Sequence, residues 1–581
     1  MAEPKQSKLH KNEGLKVESN FLRGSLAESL SDPLTGYVSA EDAQLTKFHG
    51  IYMQDDRDVR AERRKKKLDK AYSFMIRVRV PGGVCTPDQW LKMDALSDRY
   101  ANGTLKLTTR QAFQFHGIIK GNLKSTMKGI NAAVMDTIAA CGDVNRNVMC
   151  NPNPYQSTAH AEAQELAQAI SDHLTPQTGA YAEIWLDGEK LPMQKANPDS
   201  ATEEGEEPIY GKTYLPRKFK TVVAVPPSND VDLYAHDLGF IAVVDKAGKV
   251  TGYNVSVGGG MGMTHGVAET RPRLAEVMGF CTPEQAVEVA EKVVLVQRDF
   301  GDRENRAHAR LKYTIEDRGL DWFRGEVEKR LGYKLKKAKP FKFEHTGDRY
   351  GWVEDHEGYW HLTLFIQNGR VKDEPGARVK TGLREIAKIH QGDFRLTCNQ
   401  NLMIARISAD QKDRIQAMIE EFGILDGGNL TGLRKNSMAC VALPTCGLAL
   451  AESERYLPDL VTDVEQVLEE LDLAQDDIVI RMTGCPNGCA RPYLAEIGFV
   501  GKAPGKYNLY LGAAPNGSRL ARLYRENVVS EDIVDTLRPI LTDYKENRKK
   551  GEPLGDYCMR AGYVEPFDYA QGMNYHEPAT K

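Results

Sequence analysis

The sequence predicts an α+β protein built by duplication, and three observations carry that prediction. First, "LKLTTRQAFQFHGI" (Leu105 to Ile118) rhymes with "FRLTCNQNLMIARI" (Phe394 to Ile407): a bulky apolar residue, a basic residue, Leu, Thr, two residues, then Gln. Second, "DLGFIAVVDKAGKVTGYNVSVGGG" (Asp237 to Gly260) rhymes with "EIGFVGKAPGKYNLYLGAAPNG" (Glu496 to Gly517), each a short strand, a glycine turn, a second strand and a Gly-rich exit. Third, the first rhyming pair follows a strand-like run in each half, "YSFMIRVRVPGG" and "WHLTLFIQNGR", with a helical stretch between. An active site between two pseudo-symmetric halves is the expectation.

At 581 residues and 41% hydrophobic, the chain can bury three or four sizeable cores. The start, "MAEPKQSKLHKNEGLKVESN", lacks the apolar core of a signal peptide, and no apolar run reaches membrane-spanning length, so a cytoplasmic protein without membrane contact is expected. A net charge of −4 argues against a general nucleic-acid binder; the basic run "RAERRKKKLDK" (Arg60 to Lys70) reads as a solvated face or linker. "QKANPDSATEEGEEP" (Gln194 to Pro208) reads as a loop, and the chain from about Lys545 as a tail.

Ten cysteines are too few for a disulfide scaffold. Cys85, Cys141, Cys150, Cys281, Cys398 and Cys558 stand alone and read as small buried hydrophobes. The other four are paired, Cys440 with Cys446 and Cys485 with Cys489, as C-x5-C and C-x3-C. One pair suits structural zinc and one is loose. The Pro and Gly residues of "TGCPNGCARP" suit a tight backbone wrap with N–H groups aimed at sulfur, which favours an iron–sulfur cluster on four thiolates over zinc, with disulfides third.

Cations on strand faces give the second clue. In "FMIRVRV", Arg77 and Arg79 alternate with Phe74, Ile76, Val78 and Val80; in "LPRKFKTVVAV", Lys218 and Lys220 share one parity against Phe219, Val223 and Val225. Like charges on one face call for an anion, although an edge strand guarded by lysines is the plainer account of either pair alone. If "LKLTTRQAFQFHG" runs through as one strand, Lys106, Thr108, Arg110, Gln114 and His116 form a donor-rich face suited to a polycarboxylate cofactor.

With "CVALPTC", "TGCPNGC", "LTTRQAFQFHG", "NRNVMC", "YLPRKFK" and "NVSVGGG" together, the chain resembles the siroheme-dependent nitrite and sulfite reductases, and within them the haemoprotein subunits of bacterial assimilatory NADPH sulfite reductases, from about Glu18 to about Gly562. The resemblance implies the duplicated sulfite/nitrite reductase fold: mixed sheets with flanking helices in three domains around a central siroheme and cluster. It divides the chain into an arm (1–70) that docks the electron donor, a ferredoxin-like pair (71–138 plus 353–425), a first siroheme- and substrate-binding domain (139–352), and a second domain with the cysteines and tail (426–581).

It further implies a [4Fe–4S] cluster on Cys440, Cys446, Cys485 and Cys489, with Cys489 as the axial thiolate of siroheme. Thr108, Arg110, Gln114, His116, Arg217 and Gly258, Gly259 and Gly260 match siroheme-contacting positions, and Arg77, Arg146, Lys218 and Lys220 match the pocket for a small oxyanion. The expected reaction is the six-electron reduction of sulfite to sulfide on the route to cysteine. Nitrite reductases of this fold tend to carry asparagine at the position of Lys220, so lysine here favours the doubly charged sulfite. No G-x-G-x-x-G follows a strand ("GGGMGMTHG" lacks the spacing), so electrons must come from a partner. By resemblance that is a flavoprotein carrying FAD and FMN and oxidising NADPH, in a hetero-oligomer, with a ferredoxin as the alternative donor. A nucleic-acid protein built on the basic run, or an inactive assembly partner, would leave the cation faces and the intact set of Arg77, Arg146, Lys218 and Lys220 unexplained.

Overall fold

Four five-stranded sheets, related in two pairs, and two small two-stranded ones are found in the computed structural model, which describes residues 9–152, 157–177, 185–186, 189–190, 206–568 and 573–579. The first pair forms the centre. One sheet runs Ile51–Asp55, Tyr72–Val78, Phe113–Ile118, Leu105–Leu107 and Arg370–Val371; the other runs Gly351–Glu354, Trp360–Leu364, Leu402–Ile407, Asp393–Leu396 and Val84–Cys85. Each half thus lends a two-residue strand to the other's sheet: Arg370 pairs with Lys106, and Cys85 with Phe394.

The alternation read in "FMIRVRV" holds. Phe74, Ile76, Val78 and Val80 enter one core with Phe113, Phe115, Leu362, Leu364, Phe394 and Ile404, so the two halves share their apolar interior. The helix Pro87–Tyr100 opens on a Thr86–Gln89 capping box with proline in its first turn. Its Trp90 stacks on Phe394 at 4.9 Å and meets Phe113 edge-on at 5.7 Å, joining the halves again.

The second pair flanks this centre. Met149–Cys150, Thr221–Ala224, Leu238–Val244, Val250–Val257 and Glu276–Cys281 form one sheet; Ser437–Ala439, Ile480–Thr483, Ile497–Ala503, Lys506–Leu511 and Arg522–Val529 form the other. In both, two parallel pairings are followed by two antiparallel ones. Helices Thr158–His173 and Leu457–Glu470 occupy the same place in the connection to the second strand, as parallel neighbours require a crossover.

Three expectations change. "LKLTTRQAFQFHG" does not run through: Leu105–Leu107 turns at Gln111 (φ +50°) and returns as Phe113–Ile118, with Lys106 opposite Gln114. The shared face survives because cross-strand partners point the same way. Arg79 needs no ligand, since Asp136 binds its guanidinium at 2.7 Å. Nor does a boundary at residue 70 separate an arm: Ile51–Asp55 is an edge strand paired with Tyr72–Ile76, and the helix Lys11–Glu18 is tied down by buried Lys16, which bonds Glu13 at 2.6 Å and the Leu215 carbonyl at 3.0 Å. The loop read at Gln194 to Pro208 lies almost wholly outside the described residues.

Candidate active site at the junction of the two units

Cys440 follows the strand Ser437–Ala439 and Cys485 follows the adjacent parallel strand Ile480–Thr483, so both thiols leave the carboxyl ends of neighbouring strands, where open α/β sheets bind ligands. The wrap is tight for stated reasons. A Cβ on Gly484 would lie 2.6 Å from the Ala442 Cβ and the Ala451 carbonyl, and one on Gly488 (φ +61°) would lie 2.9 Å from the Tyr493 ring. The Gly484 N–H points to the Cys440 sulfur at 3.4 Å, and the Asn487 amide to that of Cys485 at 3.4 Å.

These four thiols are of the type that holds a polynuclear cluster or a zinc ion. Among the described residues no three His, Cys, Asp or Glu side chains converge on one point. Yet the thiols feel one another: burial first, then the negative charge of Cys489, raises Cys440, Cys446 and Cys485, the last to about 11. Four such groups ionise together only against a multivalent cation placed among them. The hydroxyls of Thr445 and Thr483, beside Cys446 and near Cys485, are buried without a hydrogen-bond partner, as spare donors for cluster sulfur would be.

The cations gather on the opposing unit. Asn145 and Phe219 form a parallel β-bridge, in which the Arg146 N–H reaches the Phe219 carbonyl at 2.9 Å. Phe219 sinks into the core of the first unit, leaving Lys218 and Lys220 on its other side as the sequence parity required. Lys218 lies well below its ordinary pKa because of burial, then Arg217 and Arg146; Lys220 is lowered by burial, then Arg110 and Lys218. Arg110 is lowered to about 9 by burial and Arg146, and Arg217 to about 10 by burial and Arg306. The negative charge that Lys218 feels comes from Cys489, across the unit boundary.

The hairpin tip joins the two sets. Thr109 donates its hydroxyl to the Cys489 carbonyl at 3.1 Å, whereas Thr108, the residue expected at the cofactor, accepts from the Arg110 and Ala112 N–H groups and shapes the turn. Arg110 spends one amino group on the Asn147 carbonyl; its Nε and Nη1 are buried and unpaired. His116 is held neutral by burial, and its Nδ1 has no partner. With the Gln114 amide turned so that its oxygen faces Arg77, it accepts from Nε at 2.9 Å and donates to His116 Nε2 at 3.2 Å, which leaves Nδ1 as the proton-bearing nitrogen. Lys106, on the same face, is spent on Glu454 at 2.7 Å.

Gly258, Gly259 and Gly260 stand at the junction, but not as anion donors. Their N–H groups bond the carbonyls of Asp237, His236 and Arg273. A Cβ on Gly259 would overlap the Tyr234 carbonyl, so the glycine is needed for close backbone packing. The loop continues into Met263, whose N–H bonds the Pro486 carbonyl inside the cysteine motif at 2.9 Å.

Sequence reasoning missed several residues that come from far away in the chain. Tyr52, on the edge strand, holds its ring 5.8 Å from the Arg77 guanidinium, and Arg77 also donates to the Cys141 sulfur at 2.9 Å. Lys47 is lowered to about 8 by burial, Arg306 and other cations of the site. Arg491 reaches three segments: Asp232 at 2.5 Å, the Thr109 carbonyl at 3.0 Å and the Cys398 carbonyl at 2.7 Å. All six single cysteines are buried, as expected.

Residues 65–133 and 353–422 match the family model described as the nitrite/sulfite reductase ferredoxin-like half domain, and residues 165–335 match that of the nitrite and sulphite reductase 4Fe-4S domain. Among curated relatives, the protein named sulfite reductase (NADPH) hemoprotein beta-component of Oceanobacillus iheyensis is 59% identical over 97% of this chain and 96% of its own. Those of Geobacillus kaustophilus (60% identity, 97% of both chains) and Staphylococcus saprophyticus (57% identity, 99% of this chain and 100% of the relative) carry the same name. The solved structure of the Mycobacterium tuberculosis NirA protein superposes with a TM-score of 0.76 at 26% identity, covering 96% of this chain and 97% of that one.

Proposed function

This chain belongs to the nitrite and sulfite reductase family, and from that premise we propose that it is the haemoprotein component of an assimilatory NADPH sulfite reductase, which reduces sulfite to sulfide. One observation carries the choice of site: a wall of cations with no bonded carboxylate among the described residues faces four mutually repelling thiols across the boundary of two units. Cys440, Cys446, Cys485 and Cys489 would hold the [4Fe–4S] cluster, Cys489 being shared with siroheme. Arg110, His116 and Arg217, with Gln114 between His116 and Arg77, would take siroheme carboxylates; Thr108 shapes that turn and Gly258, Gly259 and Gly260 the adjoining wall. When bound, the two groups supply the electrons and the iron that holds substrate sulfur.

The chain's own work is electrostatic. Arg77, Arg146, Lys218 and Lys220 surround the oxyanion, offset its charge and polarise its S–O bonds. Lysines held far below their usual pKa gain affinity for protons when a dianion arrives and can pass them to an oxygen that leaves as water, each such departure consuming two electrons and two protons. Proton supply is thereby tied to the state of the substrate. Electrons would come from a flavoprotein subunit, in keeping with the NADPH-named relatives. No helix among the described residues is long and apolar enough to cross a membrane.

The deciding experiment is the absorption spectrum of the purified chain with its iron, labile sulfide and zinc content, followed by dye-driven sulfite reduction. Siroheme bands, iron in excess of haem and sulfide production are expected. Zinc in place of iron, with no chromophore after expression with siroheme available, would overturn the proposal.

A further inference from the structure

The basic run Arg60 to Lys70 has no part in the chemistry above, yet the structure brings it beside the loop that carries Cys446. Arg57 clamps it there: its N–H bonds the Pro444 carbonyl at 3.3 Å, and its guanidinium bonds the carbonyls of Cys446 at 3.4 Å and Ala449 at 2.5 Å. Asp58 adds an ion pair to Arg455 at 2.6 Å. Three residues after Arg57 the helix Arg60–Lys65 begins.

Within the run, seven cations face two carboxylates. Arg60 is bound by Asp55 at 2.8 Å and Lys66 by Glu62 at 2.5 Å. Arg64, Lys65, Lys67 and Lys70 are exposed and have no carboxylate partner among the described residues. In a chain of net charge −4 this is a dense patch of free positive charge, and of the two exposed basic runs, this one and Lys334 to Lys339, it is the one tied to the cysteine loop. Beside it, the loop that carries the half-buried Cys446 ends in exposed Gly447 and in Leu448, whose side chain is 67% exposed. An apolar tip next to a cluster ligand, flanked by unpaired cations, has the make-up of a short-lived redox contact: charge steers the encounter and a small apolar patch seats it.

We infer that the helix Arg60–Lys65 with Lys67 and Lys70, together with the Cys446–Leu448 loop, is the docking face for an acidic, flavin-bearing domain of the electron-donating flavoprotein. The inference rests on the proposed sulfite reductase function and adds where electrons enter.

The test is the cofactor-loaded chain carrying Arg64→Glu, Lys65→Glu and Lys67→Glu, all exposed positions outside the site. Sulfide production is driven by NADPH with the flavoprotein and, separately, by reduced methyl viologen, which needs no docking. The KM for the flavoprotein rises about ten-fold or more at low ionic strength, the wild type's loss of rate with added salt flattens, and the viologen-driven rate stays unchanged. An unchanged KM for the flavoprotein overturns the inference. Equal losses in both assays also overturn it, because the run would then support the enzyme's own structure. A wild-type chain that makes no sulfide with viologen instead sinks the functional reading on which the inference depends.

Discussion

The two flanking units share strand order and direction, yet they divide the chemistry between them. Thr221 pairs with Leu238 as Ile480 pairs with Ile497, which sets Asn151, Pro226 and Asp230 in the places of Cys440, Cys485 and Cys489. The same register sets Lys218, Lys220 and Arg146 against Asp477, Val479 and Lys435. The second unit offers thiols at the carboxyl ends of its strands; the first offers cations at the amino ends of its own. Under the pseudo-two-fold these ends face each other twice. Where the thiols are missing, Asn151 bonds Asp230 at 2.6 Å, and burial followed by Asp348 keeps that carboxyl well above the usual range. In that twin junction Asn399 replaces Arg110 and bonds the Asp230 carbonyl and Asp348. Duplication made two junctions of one shape, and side-chain charge made one of them a candidate active site.

The comparison can be broken most severely at Cys489→Ser, which removes the thiolate assigned to both cofactors: sulfite turnover falls below detection, and iron and haem content drop together. Next comes the axis itself. Arg491→Leu removes one of the two arginines bonded to the Asp232 carboxylate, leaving Arg481, and frees two buried hairpin carbonyls. A loss of about 2–4 kcal/mol is expected, read as a lowered denaturant midpoint. Lys220→Asn reduces the charge of the active junction without disturbing its backbone. It lowers kcat/KM for sulfite by about ten- to a hundred-fold more than for nitrite, in parallel dye-driven assays; equal losses would remove Lys220 from the choice of substrate.

The smallest effect belongs to the twin junction. A carboxyl whose folded pKa is raised contributes its full stability below the ordinary carboxylate value and loses it as pH climbs toward the raised one. Asp230→Asn has nothing to lose. Its Tm, followed by calorimetry from pH 4 to 8, gains on the wild type by a few degrees as pH rises, with sulfite turnover unchanged.

Much of this was legible because it is local. The Cys440 to Cys489 motifs, the parity of Lys218 and Lys220 about Phe219, and the two rhyming pairs all lie within a few residues and follow the period of a strand. What could not be read depends on partners distant in sequence. Nothing near Arg79 announces Asp136, and Lys47 and Tyr52 reach the site only because the N-terminal segment folds back onto it. The turn at Gln111 was hidden by apolar residues that keep the same parity on both arms of a hairpin. That Gly258, Gly259 and Gly260 spend their N–H groups on the carbonyls of Asp237, His236 and Arg273 was not legible, because glycine spacing does not say where an N–H goes.

The exchanged strands of the central sheets carry a consequence for synthesis. During translation, Leu105–Leu107 emerges long before Arg370–Val371, the strand that covers its edge. Until some two-thirds of the protein has left the ribosome, that edge presents open backbone donors and acceptors beside a nascent apolar core. Truncation before residue 370 therefore does not yield a tidy half-protein. It yields a template for aggregation, and the linkage of the two halves in a single polypeptide guarantees that the covering strand always arrives, in equal number and already tethered.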